Sequence, residues 1–290
     1  MSVRLAVIGG SGLYSMEGAR VVEEREVPTP WGLPSDRVTI AEIGGEQVAF
    51  LPRHGKGHRY LPSEVPSRAN MWALKSLGVQ QIVGVSAVGS LSQGFVPGDF
   101  VLCDDIIDKT VRRPSTFFGD GIVGHVGFAP PFCAGLRQAI AGVLEAQSRP
   151  FHPDGTYVCM EGPAFSTRAE SNLHRSWRAQ VIGMTVVPEA KLAREAEMCY
   201  ATIAMVTDFD CWHEDHADVD ISAILKVVKE NSEKAGRLVA TLAKSFPKEH
   251  EPCPIGSDRS LDHAIVTARE ARDPALLAKL DAVAGRVLRR

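Results

Sequence analysis

Two carboxylates, Asp208 and Asp210, stand one residue apart directly after the apolar run Cys199–Val206. Carboxylates at this spacing suit the edge of a heteroaromatic base, because an ionised carboxylate accepts hydrogen bonds from N–H groups. Burial raises the pKa of an aspartate, so one of the two can also hold a proton and share it with N7 of a departing purine. The alternative is a pair of ordinary loop acids at a strand end.

Residues able to bind an anion follow several other short apolar runs. Gly9–Gly12, which includes Ser11, offers backbone amides and a hydroxyl but lacks the lysine of a P-loop. Arg53 and His54 open a dense cationic loop, and an arginine can hold phosphate through two hydrogen bonds. Further hydroxyls and amides are offered by Ser86, Ala87 and Thr185. Each segment alone is as consistent with a tight turn or a solvated loop, but together they indicate a site for a free phosphate ion.

An aromatic residue projects from a turn in the segment Glu161–Ser166. The pair Gly162-Pro163 fixes the turn, and Phe165 follows it closely. An aromatic ring placed beside a site can stack on a flat base. A core aromatic is the alternative interpretation of this residue.

Strands alternate with helices along the chain, which predicts an α/β fold: one domain with a central mixed β-sheet flanked by helices. The predicted strands are Arg4–Ile8, Val38–Ile43, Gln47–Leu51, Gln81–Val85, Thr156–Met160, Gln180–Met184 and Cys199–Val206. The predicted helices are Arg68–Leu77, Phe132–Ala146, Thr167–Trp177, Pro188–Glu197, Ile221–Ala243 and Pro274–Arg290. Because ligands bind beyond the carboxyl ends of such strands, we expect the clusters above to form one composite site.

The pattern changes near the C-terminus. Pro252, Pro254 and Gly256 interrupt the alternation before the last predicted helix. We therefore expect residues 1–248 to form the main domain. Residues 249–290 are expected to be a C-terminal extension that is helical and packed on the same domain.

Charge, hydropathy and cysteine usage argue against several classes of protein. The formal net charge of −3 is unlike that of a general nucleic-acid binder, which usually carries a basic excess. No apolar run approaches the length of a transmembrane helix, so we expect no membrane partner. The six cysteines are scattered without a C-x-x-C pair. This pattern favours reduced thiols in the cytoplasm over a zinc site or a disulfide framework.

The order of these segments resembles the trimeric purine nucleoside phosphorylase superfamily and is most similar to its methylthioadenosine phosphorylase branch. The most specific segments are GGSGL, PRHGKGH, EGPAFSTRAE, GMTVVPEA and ATIAMVTDFDCW, and the similarity extends to about Lys248. The resemblance implies phosphorolysis of 5′-methylthioadenosine to adenine and 5-methylthioribose 1-phosphate. It also implies a homotrimer that uses inorganic phosphate as a co-substrate and needs no metal and no organic cofactor.

The resemblance assigns the candidate residues to two parts of one site. The family's phosphate-binding positions match Ser11, Arg53, His54, Ser86, Ala87 and Thr185. Its nucleoside-binding positions match Phe165, Ser166, Met184, His125, Val219, Ile221 and Ile224. In this assignment Phe165 stacks on the base, Met184 lies under the ribose, and His125 reaches the site of a neighbouring subunit. Asp208 and Asp210 are the catalytic pair, and they face N7 and the 6-amino group of adenine.

Several positions bear on the choice of substrate within the family. Phosphorylases of 6-oxopurines typically have Asn in place of Asp208 and Glu in place of Ser166, so both residues favour adenine. An apolar wall for the methylthio group is predicted from Val219, Ile221 and Ile224. Gly183, in contrast, stands where several methylthioadenosine phosphorylases have Asn. The open alternatives are a phosphorylase that prefers adenosine or a 6-oxo nucleoside such as methylthioinosine, a hydrolytic nucleosidase, and a non-catalytic nucleoside sensor.

Overall fold

The computed structural model describes residues 3–10, 18–213, 221–246 and 251–289. The strands are β1 (Leu5–Gly9), β2 (Ala19–Arg25), β3 (Val38–Ile43), β4 (Glu46–Pro52), β5 (Gln81–Ser90), β6 (Phe100–Leu102), β7 (Asp105–Asp108), β8 (Phe151–His152), β9 (Thr156–Cys159), β10 (Val181–Gly183) and β11 (Cys199–Asp208). The α-helices are α1 (Ser67–Ser76), α2 (Ala134–Ala146), α3 (Arg168–Ser176), α4 (Val186–Glu195), α5 (Ile221–Ser245) and α6 (Pro274–Leu288).

The strands described here form one mixed 11-stranded sheet, whose main path runs β2-β3-β4-β1-β5-β10-β9-β7. Strand β5 is its hub, because it pairs in parallel with β1 and β11 and antiparallel with β10 near its carboxyl end. Helices α2, α4 and α5 pack against β11. This is the predicted α/β architecture, a central mixed sheet flanked by helices, and it brings the ends of β5, β10 and β11 together.

Local sequence signals fix several boundaries as predicted. Gly44 and Gly45 both have positive φ in the turn between β3 and β4, which pair as the predicted antiparallel hairpin. Helix α3 begins with the predicted capping box. In it, the Thr167 hydroxyl accepts the backbone N–H of Glu170, and the Glu170 carboxylate accepts the N–H of Thr167.

Strand β5 is longer than predicted, and this changes the setting of two candidate residues. It continues to Ser90, so Ser86 and Ala87 lie inside the strand and not beyond its end. The sequence pattern stops at Val85 because small and polar residues follow. The strand continues because the backbone groups of its second half are paired with β11 and β10. The edge strand β2 is also missed, since it is mostly exposed and carries little apolar signal.

The C-terminal helix α6 packs against α1, and C-terminal side chains join the core of the domain. Leu261, Leu280 and Val283 share a core cluster with side chains from β1, β5 and α4. The sulfur atoms of Cys253 and Cys133 lie 3.5 Å apart, and all six cysteines are free thiols. The division into 1–248 and 249–290 stays a prediction, because residues 247–250 lie outside the described residues. Within the described ranges, no helix is long and apolar enough to cross a membrane.

Two buried tyrosines lie directly against glycines of the sheet. A Cβ atom on Gly84 of β5 would lie 2.2 Å from the hydroxyl oxygen of Tyr200, and one on Gly183 of β10 would lie 2.0 Å from that of Tyr157. Such overlaps cannot persist in a close-packed interior. Glycine is therefore required at both positions for the two phenols to reach the centre of the sheet.

Adding one methyl group at Gly84 tests this packing. We expect Gly84→Ala to lower the free energy of unfolding by about 1–3 kcal/mol, the usual cost of overpacking a core. Gly142→Ala is the matched control, because Gly142 is exposed on α2 and a Cβ there meets nothing within 4 Å. That change should stabilise the helix by about 0.5–1 kcal/mol. Urea unfolding at one protein concentration compares them, and equal midpoints would contradict the packing argument.

Candidate active site

A cavity of about 350 Å³ lies at the sheet edge where β1, β4, β10 and β11 end, beside the second half of β5. Such edges are where α/β sheets bind ligands. The predicted site residues that line it are Arg53, His54, Ser86, Ala87, Phe165, Met184, Thr185, Asp208 and Asp210. The sheet therefore brings the candidate anion-binding residues and the candidate base-binding residues to one cavity.

The guanidinium of Arg53 is held by the protein itself. Its Nε and Nη2 donate to the two carboxylate oxygens of Glu189, at 2.5 and 3.0 Å. Nη2 also donates to the carbonyl of Ile8, and Nη1 donates to the carbonyl of Val85. Because a guanidinium has five N–H donors, these bonds leave one, on Nη1. In this geometry Arg53 can offer a phosphate one N–H, whereas a two-point contact would need one of its internal hydrogen bonds to break.

Glu189 and Tyr200 set the charge of this region. The Tyr200 hydroxyl donates to Glu189 Oε2 at 2.8 Å, on the carboxylate that holds Arg53. Burial alone would lower the pKa of Arg53, but the Glu189 carboxylate more than offsets this and the pKa is raised. Burial raises the pKa of Tyr200, so the phenol stays neutral. Arg53 and Glu189 thus form a buried ion pair with no net charge.

His54 is a neutral acceptor and not a second cation. Burial and the neighbouring Arg53 charge lower the pKa of His54 to about 4. Its Nδ1 lies 2.9 Å from the carbonyl of Tyr60, an acceptor, so Nδ1 carries the proton and Nε2 is left as an acceptor. The predicted cationic loop therefore places one permanent charge at the cavity, and that charge is already paired.

The hydroxyls of Ser86 and Thr185 face the same region as Arg53. Both oxygens are buried, and no other described residue completes a hydrogen bond with either. Thr185 is the N-cap of α4, yet its side chain does not cap the helix. Ala87 is exposed beside Ser86 and lines the cavity. These neutral donors suit an anion, and Thr185 adds the N-terminus of α4 to them.

The two aspartates lie at the end of β11, where the strand has a register shift between Val206 and Asp208. The Asp208 carboxylate accepts the Thr207 hydroxyl at 2.7 Å and the backbone N–H of Asp210 at 2.8 Å. Burial raises the pKa of Asp208 despite these two bonds. Burial also raises the pKa of Asp210, whose Oδ2 has no completed hydrogen bond to a described residue. The raised pKa of Asp208 suits proton sharing with a ligand, and Asp210 Oδ2 is left to accept a hydrogen bond from one.

The outer wall of the cavity is aromatic and sulfur-rich. Phe165 stands at its mouth and is 49% exposed. Met184 lines the cavity, and its carbonyl accepts a hydrogen bond from the buried Arg113. Ser166 does not line the cavity but lies behind Asp210, where its hydroxyl opposes the rise in the pKa of that carboxyl. Of the three predicted residues in this wall, Phe165 and Met184 thus line the cavity, with Ser166 one layer back.

Packing explains why position 183 is a glycine, whatever base the site binds. The Tyr157 hydroxyl fills the volume that any side chain at this position would occupy. The glycine that resembles 6-oxopurine enzymes is therefore explained by Tyr157, and it gives no support to a 6-oxo substrate.

Several predicted residues fall outside the cavity as described. His125 is exposed and pairs through its backbone with Ala264, away from the cavity lining. Ser11 and Val219 lie outside the described residues, although Gly10 lines the cavity. Ile221 and Ile224 begin α5, but their side chains are not described. The roles given to these residues stay predictions.

Sequence analysis missed three residues that lie behind the cavity lining and hold it in place. Glu189 holds Arg53, and Tyr200 donates to Glu189. Arg113 donates to the carbonyls of Met160, Glu161, Met184 and Val187. Arg113 thereby joins the two segments that carry Phe165 and Thr185. Glu189 belongs to the motif GMTVVPEA. It is the charged residue of an otherwise mostly apolar segment, and this could have indicated that it has a buried partner.

The comparisons with known proteins agree with this geometry. A family model described as "Phosphorylase superfamily" matches residues 4–244. The chain belongs to the phosphorylase superfamily. The S-methyl-5′-thioadenosine phosphorylase of Bradyrhizobium diazoefficiens is 55% identical over 98% of this chain and 98% of its own length. That of Cereibacter sphaeroides is 52% identical over 100% of both chains.

Solved structures of the superfamily have the same fold. A methylthioadenosine phosphorylase sourced from an Antarctic soil metagenomic library has a TM-score of 0.92 and 44% identity, covering 97% of this chain and 99% of that one. A mutant adenosine/methylthioadenosine phosphorylase from Schistosoma mansoni in complex with methylthioadenosine has a TM-score of 0.81 and 37% identity, covering 86% of this chain and 93% of that one.

Neutralising Glu189 tests its hold on Arg53. Glu189→Gln leaves the buried guanidinium without its counter-charge, and we expect a loss of about 3–5 kcal/mol in the free energy of unfolding. Phosphate should restore part of this loss, because an anion then compensates the free charge of Arg53. The measurement is urea unfolding with and without phosphate.

Glu195→Gln is the matched control for this variant. Glu195 is also buried on α4, but burial raises its pKa to about 7, so its carboxyl is already partly neutral at neutral pH. It should lose far less stability and show no added dependence on phosphate. Equal behaviour of the two variants would mean that the Glu189 charge does not hold Arg53.

Proposed function

We propose that this protein catalyses the phosphorolysis of 5′-methylthioadenosine to adenine and 5-methylthioribose 1-phosphate. The observation that carries the proposal is one cavity with anion-binding hydroxyls and Arg53 on one wall and Asp208 and Asp210 on another. The names of the relatives that match over the whole chain agree with this chemistry. A nucleoside sensor would need the base pocket alone, and a nucleosidase would not need the anion-binding wall.

Phosphate binds beneath the anomeric carbon in this mechanism. The hydroxyls of Ser86 and Thr185, the amide of Ala87 and the remaining N–H of Arg53 donate to its oxygens. Neutral His54 accepts a hydrogen bond from a protonated phosphate oxygen through Nε2. Because the Arg53–Glu189 pair has no net charge, the phosphate keeps its own negative charge to stabilise the oxocarbenium-like sugar.

The base leaves with help from the aspartates. Phe165 stacks on the purine at the mouth of the cavity, and Asp208, with its raised pKa, shares a proton with N7. Asp210 accepts the 6-amino group through Oδ2, the oxygen without a completed bond in the described protein. The glycosidic bond breaks, the electron pair goes to the base, and phosphate bonds to C1′ from the opposite face.

Adenosine is the second candidate substrate. One solved relative is called an adenosine/methylthioadenosine phosphorylase, and the base-binding residues described here would accept either nucleoside. The preference for a methylthio group rests on the apolar residues Val219, Ile221 and Ile224. A 6-oxo nucleoside is disfavoured, because an ionised Asp210 and a carbonyl oxygen are both acceptors.

The same proposal covers the assembly and setting of the enzyme. It needs no metal and no organic cofactor, since positioning and electrostatics supply the rate acceleration. It works as a homotrimer, in which the exposed His125 reaches the site of a neighbouring subunit. The free thiols of all six cysteines support a reducing compartment, the cytoplasm. Residues 249–290 act as an extension that stabilises the main domain.

Release of the free base from paired substrates tests the proposed activity. Initial rates would be measured on methylthioadenosine, adenosine, inosine and methylthioinosine, each with and without phosphate. We expect release that requires phosphate and is fastest with methylthioadenosine. Equal release without phosphate would identify a hydrolase, and faster release from the inosine compounds would overturn the assignment of Asp208 and Asp210.

Substitutions of Asp208 separate its two proposed roles. Asp208→Ala should lower turnover of methylthioadenosine by roughly 10²–10⁴, the range of a general acid. Asp208→Asn should retain packing and raise the relative kcat/KM for methylthioinosine over methylthioadenosine, because 6-oxopurine phosphorylases typically have Asn at this position. Near-normal turnover of Asp208→Ala on methylthioadenosine would exclude proton transfer from this residue.

A further inference from the structure

Tyr157 lies behind the anion-binding wall of the cavity and is fully buried on β9. Its ring approaches β10 so closely that any side chain at Gly183 would overlap its hydroxyl oxygen. The hydroxyls of Thr185 and Ser86 are near enough to oppose the rise in the pKa of Tyr157 that burial causes. Glycine at position 183 therefore leaves room for the Tyr157 hydroxyl, which lies behind the cavity-lining residues Ser86 and Thr185.

These three hydroxyl oxygens share an unusual property. Each is buried, and none of them completes a hydrogen bond with a described residue. Thr185 does not use its hydroxyl to cap α4, although a threonine at an N-cap commonly does so. A buried polar group without a partner is costly. The arrangement is therefore consistent with hydroxyls that are kept ready for a ligand and for one another.

We propose that Tyr157 is a positioning residue for phosphate, whose hydroxyl donates to Thr185 when phosphate binds and thereby directs the Thr185 proton into the cavity. Once Thr185 Oγ1 accepts the phenol proton, its own O–H is left to donate to a phosphate oxygen. Ser86 adds a second donor from β5. Burial raises the pKa of Tyr157, so the phenol keeps its proton at neutral pH. Gly183 serves phosphate binding in this arrangement, because it makes room for Tyr157.

The inference rests on the proposed phosphorolysis, and Tyr157→Phe tests it. The change removes one oxygen atom and keeps the ring against Gly183, so the variant should fold. We expect KM for phosphate to rise about ten-fold, the effect of one hydrogen bond. KM for methylthioadenosine at saturating phosphate should stay within about two-fold, because a single lost phosphate contact leaves the base pocket intact. A structural role alone would not separate the two constants.

A double-mutant cycle shows whether Tyr157 acts through Thr185. Thr185→Ala should weaken phosphate binding by itself, and adding Tyr157→Phe to it should cause little further loss. Thermal unfolding at increasing phosphate concentration gives a second readout that does not require turnover. The phosphate-dependent rise in Tm should be smaller for Tyr157→Phe than for the parent protein, with equal Tm values when phosphate is absent.

Each outcome separates the inference from the proposed function. Phosphate-dependent turnover of the parent protein, with an unchanged phosphate KM in Tyr157→Phe, overturns the role of Tyr157 alone. An equal further loss in the Thr185→Ala background shows that Tyr157 does not act through Thr185 and also overturns it. A parent protein that needs no phosphate and gains no stability from it overturns both proposals.

Discussion

The buried ion pair between Arg53 and Glu189 is the interaction on which the site depends. It joins the end of β4 to α4, and its guanidinium also bonds to carbonyls at β1 and β5. A charge placed at this depth is tolerated only with a partner, and Glu189 is itself fixed by Tyr200. The pair therefore fixes four elements of the fold around one point. It also decides that Arg53 offers the cavity a single N–H and no uncompensated positive charge.

The rest of the anion-binding wall follows from that constraint. With the arginine paired and His54 neutral, recognition falls to hydroxyls and backbone amides, which are fixed dipoles that cost little reorganisation. Tyr200 and Tyr157 support the two halves of this wall, and each requires a glycine in the neighbouring strand. The base-binding wall is built differently, from two carboxyls whose burial raises their pKa values. The sheet thus places an electrically neutral anion site opposite a proton-sharing base site.

Much of this could be predicted from the sequence, because the signals are local. The alternation of strands and helices, the hairpin at Gly44-Gly45 and the capping box at Thr167 depend on neighbouring residues, and the clusters at strand ends meet as expected. What could not be predicted depends on distant partners. Ser86 lies within a strand because β10 and β11 pair with it, and the state of Arg53 is set by Glu189, far along the chain. No local pattern reports such pairings.

Phosphorus NMR of the reaction mixture tests the central claim most directly, namely that phosphate itself attacks the sugar when the base leaves. The account predicts one new sugar 1-phosphate for each adenine released, with the α configuration that attack from the face opposite the base requires. Adenine release while the inorganic phosphate signal stays constant would contradict it. A product with the β configuration would also contradict it, because the phosphate could not then have come from the wall formed by Ser86, Thr185 and Arg53.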